Sequence, residues 1–141
     1  MSFSWHPKFC RLVYYQFGNC NCQGAKRMPV LRVVLPEGEK MLEVPVGANL
    51  RQSLLAAGIT PYTWVTRQMN CGGRGLCATC GVWTEGEAPP EHWHDRLADH
   101  FGYPRLSCQI RVNEDMTVRL VEKLIWGAPD PLRARRRRAE P

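Results

Sequence analysis

No stretch of the 141-residue chain approaches the roughly 18 uninterrupted apolar residues of a membrane-spanning helix. The first 27 residues also lack the apolar run ending in small residues that marks a secretion signal; charges, Asn, Cys and Gly stand there instead. These two absences predict a soluble, cytoplasmic protein. Acidic charge is absent from one end and scarce at the other: residues 1–27 hold four Lys/Arg and no Asp/Glu, and residues 129–141 hold five arginines against two carboxylates. Between them, residues 28–128 balance ten Lys/Arg against eleven Asp/Glu, a net charge of −1. The formal charge of +6 therefore belongs to the ends, and nucleic-acid binding is not expected from it. The Arg-rich end, with Arg133 and Arg135 to Arg138, is expected as a solvated tail, with an anionic surface, whether lipid, nucleic acid or an acidic protein, as the alternative partner. No internal repeat is found, and 44% hydrophobic with 23% charged residues excludes collagen-like, disordered and coiled-coil classes for the whole chain. The length allows one domain with short appendages: a basic leader over 1–27, a domain over 28–126 and a tail over 127–141. Met28 stands just before the first strand pattern, where a genuine start is also conceivable.

Seven cysteines are present. In a reducing compartment they do not make a disulfide framework, and metal or catalytic chemistry is the better expectation. Cys10, Cys20 and Cys22 lie in the leader, where with His6 their spacing matches no standard ligand set. Cys71, Cys77, Cys80 and Cys108 lie mid-chain and make up a full set of four ligands.

Alternation places Leu31, Val33 and Leu35 on one face of a strand over Val30–Leu35, and Leu42, Val44 and Val46 on one face of a strand over Met41–Val46. Pro36 to Glu39 supply the hairpin loop. A helix over Leu50–Ala57 follows, capped by Asn49 and stopped by Gly58. From Ile59 to Thr79 neither period persists, so a shaped loop is expected. Val82–Thr84 reads as a short strand, and Trp93, Leu97 and Phe101 announce a second helix ending at Gly102. Leu106, Cys108, Ile110 and Val112 alternate as one strand, and Met116, Val118 and Leu120 as the last. This order of elements predicts an α+β fold, a mixed sheet with a helix packed across it.

Cys71-Gly-Gly-Arg-Gly-Leu-Cys77-Ala-Thr-Cys80 spaces three thiols as C-x5-C-x2-C, with 27 residues between Cys80 and Cys108. Each iron of a binuclear centre needs two thiolates at tetrahedral angles, and an irregular loop can wrap both irons where a regular element would point the side chains apart. The three glycines let backbone N–H groups turn toward sulfur. A zinc ribbon would present two C-x2-C knuckles, and here there is one. A thioredoxin-like thiol pair would open a helix, whereas Gly81-Val82-Trp83 reads as a strand. A Rieske centre would need Cys-x-His pairs, which His92, His94 and His100 do not form.

The glycine-rich triple-cysteine loop, with the segment Arg105-Leu-Ser-Cys108-Gln109, resembles the 2Fe-2S ferredoxins of β-grasp fold, plant-type and adrenodoxin-like branches included. The resemblance spans residues 29–122. It implies one 2Fe-2S cluster, with Cys71 and Cys77 on one iron and Cys80 and Cys108 on the other. It also implies one-electron transfer between a reductase and an acceptor rather than catalysis. The five-residue first gap matches the adrenodoxin-like branch. A protein fixed in a larger complex, or a redox sensor, is the alternative use of the same cluster.

Glu85, Glu87, Glu91, Asp95 and Asp99, with Arg96 as the one cation among them, form an acidic segment that would suit docking to a basic reductase. Tyr62, Trp64, Met69 and Trp83 flank the loop, as cluster shields or ordinary core. His92-Trp93-His94 is expected on the helix surface, because residues two apart do not face each other.

Overall fold

The computed structural model describes residues 27–86 and 89–139. Strands β1 (Val30–Leu35) and β2 (Gly38–Glu43) form the expected hairpin, but the loop shrinks to Pro36 and Glu37 because Gly38 pairs with Leu35. A two-residue connection matches strand twist better than the four-residue loop expected. A short β3 (Ala48–Asn49) leads into α1 (Leu50–Ala56), then come β4 (Gly81–Glu85), α2 (Trp93–His100), β5 (Arg105–Leu106), β6 (Arg111–Val112), β7 (Met116–Leu120) and α3 (Pro131–Ala139).

The main sheet runs β2-β1-β7-β4-β5, with β1 parallel to β7 and the other pairs antiparallel, and β3 pairs separately with β6. This is the mixed α+β plan expected. Leu31 and Val33 of β1, Val82 of β4 and Met116 and Val118 of β7 point to one face and meet Leu50 and Leu54 of α1. Each fully buried Leu or Val there contributes about 1.5–3 kcal/mol of transfer free energy. Asp115 joins the two parallel strands at their start, accepting from the Val30 N–H at 2.8 Å and pairing with Arg27.

Leu106 to Val112 do not form one strand. Leu106, Ser107 and Cys108 are all buried, which a two-residue alternation cannot deliver, and Ser107–Gln109 turn as a 3-10 helix between β5 and β6. The chain thereby leaves the main sheet for the small one and drops Cys108 inward at the crossing. Ser107 anchors the turn, donating from its hydroxyl to the Cys80 carbonyl at 2.7 Å.

The stripe that announces α2 is not the face it buries. Trp93, Leu97 and Phe101 are 61%, 49% and 46% exposed, while Asp95, Ala98 and Asp99 face inward. Asp95 takes two bonds from Arg105, at 2.7 and 2.9 Å, and one from the Leu106 N–H at 2.7 Å; both charged side chains are at most 2% exposed. Asp99 accepts from Arg133 at 3.0 Å. The acidic segment expected as a solvated docking face therefore spends two of its carboxylates inside the fold.

The chain after Trp126 is not merely a solvated tail. Asp130 donates its N–H to the Gly102 carbonyl at 2.8 Å and caps α3 by accepting from the Leu132 N–H, with Pro131 opening the helix. Gly102 adopts φ +75°, and a Cβ there would stand 2.4 Å from the Asp130 carbonyl oxygen, so this glycine both ends α2 and seats α3. Arg133 reaches Asp99 and the Thr84 carbonyl and lies over the Trp83 ring at 5.7 Å. Arg135, Arg136 and Arg138 remain exposed. Residues 1–26, with Cys10, Cys20, Cys22 and His6, lie outside the described residues.

Candidate metal centre

Between α1 and β4 the chain has no regular period to obey, and its polar groups turn on one another. Asn70 holds the entry, donating to the Arg67 carbonyl at 2.7 Å and accepting from the Gly72 N–H at 3.0 Å. The Cys71 N–H approaches Cys77 Sγ at 3.4 Å, and Cys77 Sγ lies 3.1 Å from the Thr79 hydroxyl. Burial pushes the Cys71 thiol up, but the N–H groups of Leu76, Cys77 and Gly73, with the Cys77 side chain, outweigh it and bring the pKa down to about 6. Those inward N–H groups are what a negatively charged sulfur requires. Gly75 sits at φ +73°, backbone that a side chain strains, and a Cβ there would also push on the Gln109 amide and the His92 ring, 2.7 and 2.9 Å away. Ala78 also sits in left-handed backbone, at φ 54°.

The second pair of thiols is assembled from afar. Cys80 precedes β4 and Cys108 sits on the 3-10 turn, with the two sulfurs 3.4 Å apart and both residues buried. Asn49, the α1 cap, accepts from the Gln52 N–H and donates to the Cys108 carbonyl at 2.8 Å, so helix start and ligand turn share one side chain. Gln109 bridges Cys108 Sγ and the Gly73 carbonyl, at 3.4 and 3.3 Å, tying the turn to the loop. The neighbouring Cys108 thiol brings Cys80 down to about 6 against burial, and the same contact together with burial pushes the Cys108 thiol up.

The four mid-chain cysteines thus stand as two pairs, one wrapped by loop N–H groups and one gripped by side chains from distant elements. Among the described residues no three His, Cys, Asp or Glu converge on a point that would hold a single ion. Two thiol pairs suit a binuclear centre, in which each metal takes two thiolates and shares sulfide bridges, better than a mononuclear four-thiolate site.

Of the flanking aromatics, Tyr62 alone is buried with Cys80 and Cys108, and it accepts from Arg51 Nε at 2.5 Å. Trp64 and Met69 are 81% and 75% exposed and shield nothing, and Trp83 lies under Arg133 on the opposite face of the sheet. Three residues that the sequence did not single out as partners of the centre border it. His94 Nδ1 donates to the Gly75 carbonyl at 2.6 Å, Trp126 Nε1 to the Cys77 carbonyl at 2.9 Å and Lys123 Nζ to the Gly81 carbonyl at 2.7 Å. Burial lowers Lys123 to about 8 although the Cys80 and Cys77 sulfurs favour its charge. All three bind backbone carbonyls, and such contacts leave no spacing signal in a sequence.

Comparison with known proteins agrees with this geometry. Residues 34–113 match the 2Fe-2S iron-sulfur cluster binding domain. The chain is 33% identical over 112 residues to rhodocoxin of Rhodococcus erythropolis, covering 70% of this chain and all of that one. It is 39% identical over 92 residues to one subunit of the Na(+)-translocating NADH-quinone reductase of Pseudomonas aeruginosa, covering 62% of this chain but 21% of that subunit. The fold resembles that of a reduced putidaredoxin variant from Pseudomonas putida, with a TM-score of 0.52 at 22% identity over 69% of this chain and 99% of the other. Family match, fold and paired thiols together make the chain a member of the plant- and adrenodoxin-type 2Fe-2S ferredoxins, an electron-transfer protein with one 2Fe-2S cluster.

Proposed function

We propose that the protein is a soluble, cytoplasmic one-electron carrier between a reductase and an acceptor, and that Cys71 and Cys77 bind one iron of its cluster and Cys80 and Cys108 the other. The carrying observation is the pairing of the thiols, with the Leu76, Cys77 and Gly73 N–H groups on Cys71 and the 3.4 Å approach of Cys80 to Cys108. The cluster, when bound, supplies a site that takes up and releases a single electron. Around it this chain's residues hold the sulfurs at fixed spacing and offer N–H donors to the charge that arrives. They also bury Cys80 and Cys108 from water. Four protein thiolates leave neither iron an open position, which supports a carrier rather than an enzyme. No described helix is long and apolar enough to cross a membrane.

The cluster-binding unit is proposed as residues 28–126, with α3 docked onto it through Gly102 and Arg133. The exposed Arg135, Arg136 and Arg138 of α3 would favour an anionic partner surface.

Serine at each of Cys71, Cys77, Cys80 and Cys108 should abolish or sharply reduce the iron and labile-sulfide content and the visible absorption. Serine at Cys10, Cys20 or Cys22 should leave both intact. Full loading of any of the first four variants would remove that residue from the ligand set. A second reading, a module fixed in a larger assembly, is favoured by the exposed Trp93, Leu97 and Phe101 beside the centre and by the related stretch within the larger reductase chain. A monomer in sedimentation that turns over electrons with a separate reductase supports the mobile carrier; obligate co-purification in one complex supports the other.

A further inference from the structure

His94 meets the cluster loop at a peptide that faces two ways. Its Nδ1 lies 2.6 Å from the Gly75 carbonyl oxygen, and a carbonyl accepts only, so Nδ1 carries the proton. The same peptide unit continues into the Leu76 N–H, which is directed at Cys71 Sγ. In a trans peptide the two groups point in opposite directions, and the chain has no cis peptide among the described residues. One end of this unit therefore takes a bond from the imidazole while the other gives a bond to a sulfur. Donation to the carbonyl polarises the peptide and makes its N–H a stronger donor. The contact is not a loose surface one: His94 is half-buried, and the ring of His92, the cap of the same helix, also packs against Gly75.

We propose that His94 is a positioning residue that sets the reduction potential of the cluster through the Gly75–Leu76 peptide, and that its protonation couples electron uptake to a proton. The inference rests on the assignment of Cys71 as a ligand. With Nδ1 engaged, Nε2 is the nitrogen that takes up the proton, and the ring lines a groove of about 300 Å³ between α2 and Trp126 that opens to solvent. One electron from the reductase would add one negative charge to the bound centre, ferric iron becoming ferrous with part of the charge shared by the sulfurs, and one proton from water at Nε2 compensates it. The proton is then bound more tightly in the reduced state than in the oxidised one. Hydrogen bonds to the sulfurs and nearby charge are both known levers on such potentials. Each neighbouring element brings its own ionisable groups. The loop carries Arg74 and the thiols of Cys71, Cys77 and Cys80, and the 3-10 turn carries that of Cys108. Helix α2 carries Arg96, with Asp95 held by Arg105, and the turn before it carries Glu91 and His92. Tyr103 lines the groove, and Lys123 sits at the Gly81 carbonyl. Of these, His92 is the one other imidazole against the loop. Its Nδ1 accepts from the His94 N–H at 3.4 Å, which makes it the necessary control.

The test is the potential of the loaded full-length protein, measured by voltammetry from about pH 5 to about pH 9, across the imidazole range. The parent should show a potential that falls as pH rises between two pKa values and is flat outside them. A tenfold difference in proton affinity between the redox states appears as about 59 mV for one electron. His94→Asn places an amide N–H where Nδ1 stood and cannot titrate. It should keep the iron content and oxidised spectrum, match the parent at high pH and lose the slope. His94→Ala, which also loses the donor, should lie below the parent at every pH. His92→Asn should keep the slope. A parent with no slope, a slope that survives in His94→Asn, or one that disappears in His92→Asn instead, would overturn the proposal. If His94→Ala fails to load, His94→Asn and His92→Asn still decide it. Full loading of Cys71→Ser would remove the ligand assignment instead, whatever the pH profiles show.

Discussion

Helices α1 and α2 are nearly equal in length, and each carries three apolar side chains at helical spacing, yet they dock in opposite senses. Helix α1 buries Leu50 and Leu54 against the sheet, with Ala57 packed beside them, and leaves Gln52 and Leu55 exposed. Helix α2 turns Trp93, Leu97 and Phe101 out and buries two carboxylates. The difference lies in what each helix meets. Helix α1 meets the apolar face of β1, β4 and β7. Helix α2 meets the segment that delivers Cys108, where Arg105 is already inside, and a buried guanidinium has to be matched by charge because its cost alone is several kcal/mol. Asp95 does this while also capping the Leu106 N–H, so α2 fixes the strand end from which the last ligand turns. Helix α1 fills the apolar core and reaches the centre only through its Asn49 cap and Arg51, whereas α2 fixes the strand end with charge.

The largest effect is expected where that difference is sharpest. Asp95→Ala should lower stability by about 3–5 kcal/mol, because it removes the carboxylate that takes two bonds from the buried Arg105, a loss comparable with the roughly 2–5 kcal/mol expected for Leu54→Ala in α1. Denaturant unfolding of both variants checks it; a loss under about 1 kcal/mol for Asp95→Ala would mean the ion pair is not what seats α2. Next in size is removal of α3. A chain ending at Trp126 should still fold and load its cluster, since the four cysteines, Asn49, His94 and Trp126 all remain. It should be less stable by about 1–3 kcal/mol, the usual cost of stripping a hydrogen-bonded charge from a buried carboxylate, here Arg133 from Asp99. Failure to load would place α3 within the cluster-binding unit. A smaller effect is expected on the outer face of α2: Trp93→Gln and Leu97→Gln should change stability by less than about 0.5 kcal/mol, whereas Leu50→Gln should unfold the domain.

The contrast between the helices also explains what could be read from the chain. Periodicity reports apolar burial, so β1, β7, α1 and its Asn49 cap were legible, and the C-x5-C-x2-C loop was legible because ligand spacing is a local property. The same logic recognised α2 as a helix but gave no hint of its inward face, because Asp95 and Arg105 are ten residues apart and each alone reads as surface. Leu106, Cys108 and Ile110 alternate well enough for a strand, and nothing local shows that the Asn49 amide and the Ser107 hydroxyl hold Cys108 in a tighter turn. Trp126 reaches the loop, and Lys123 the first residue of β4, through backbone carbonyls, which any residue offers and no sequence marks. Arg133 looked like one arginine of a charged run until Asp99 and Trp83 gave it a place.

The smallest expected effect concerns electrostatic steering, and it follows from the same inversion of α2. If all five carboxylates between Cys80 and Cys108 faced solvent, neutralising them would slow encounter with a cationic reductase strongly at low salt. Asp95 and Asp99 are instead paired within the fold, and Glu87 lies outside the described residues, so Glu85 and Glu91 are the described carboxylates of the segment exposed to a partner. Each sits near Arg96 or Arg136 rather than in an unbroken acidic field, since Arg96 donates to the Glu91 carbonyl and Arg136 lines the same groove as Glu85. The double variant Glu85→Gln, Glu91→Gln should therefore slow reduction less than about threefold at low salt and converge on the parent once the Debye length falls to roughly 3 Å near 1 M salt. Stopped-flow reduction across a salt series measures both quantities. A loss of tenfold or more at low salt, with stability and spectrum unchanged, would show that two carboxylates suffice to steer the partner and that the apolar face of α2 is secondary in encounter.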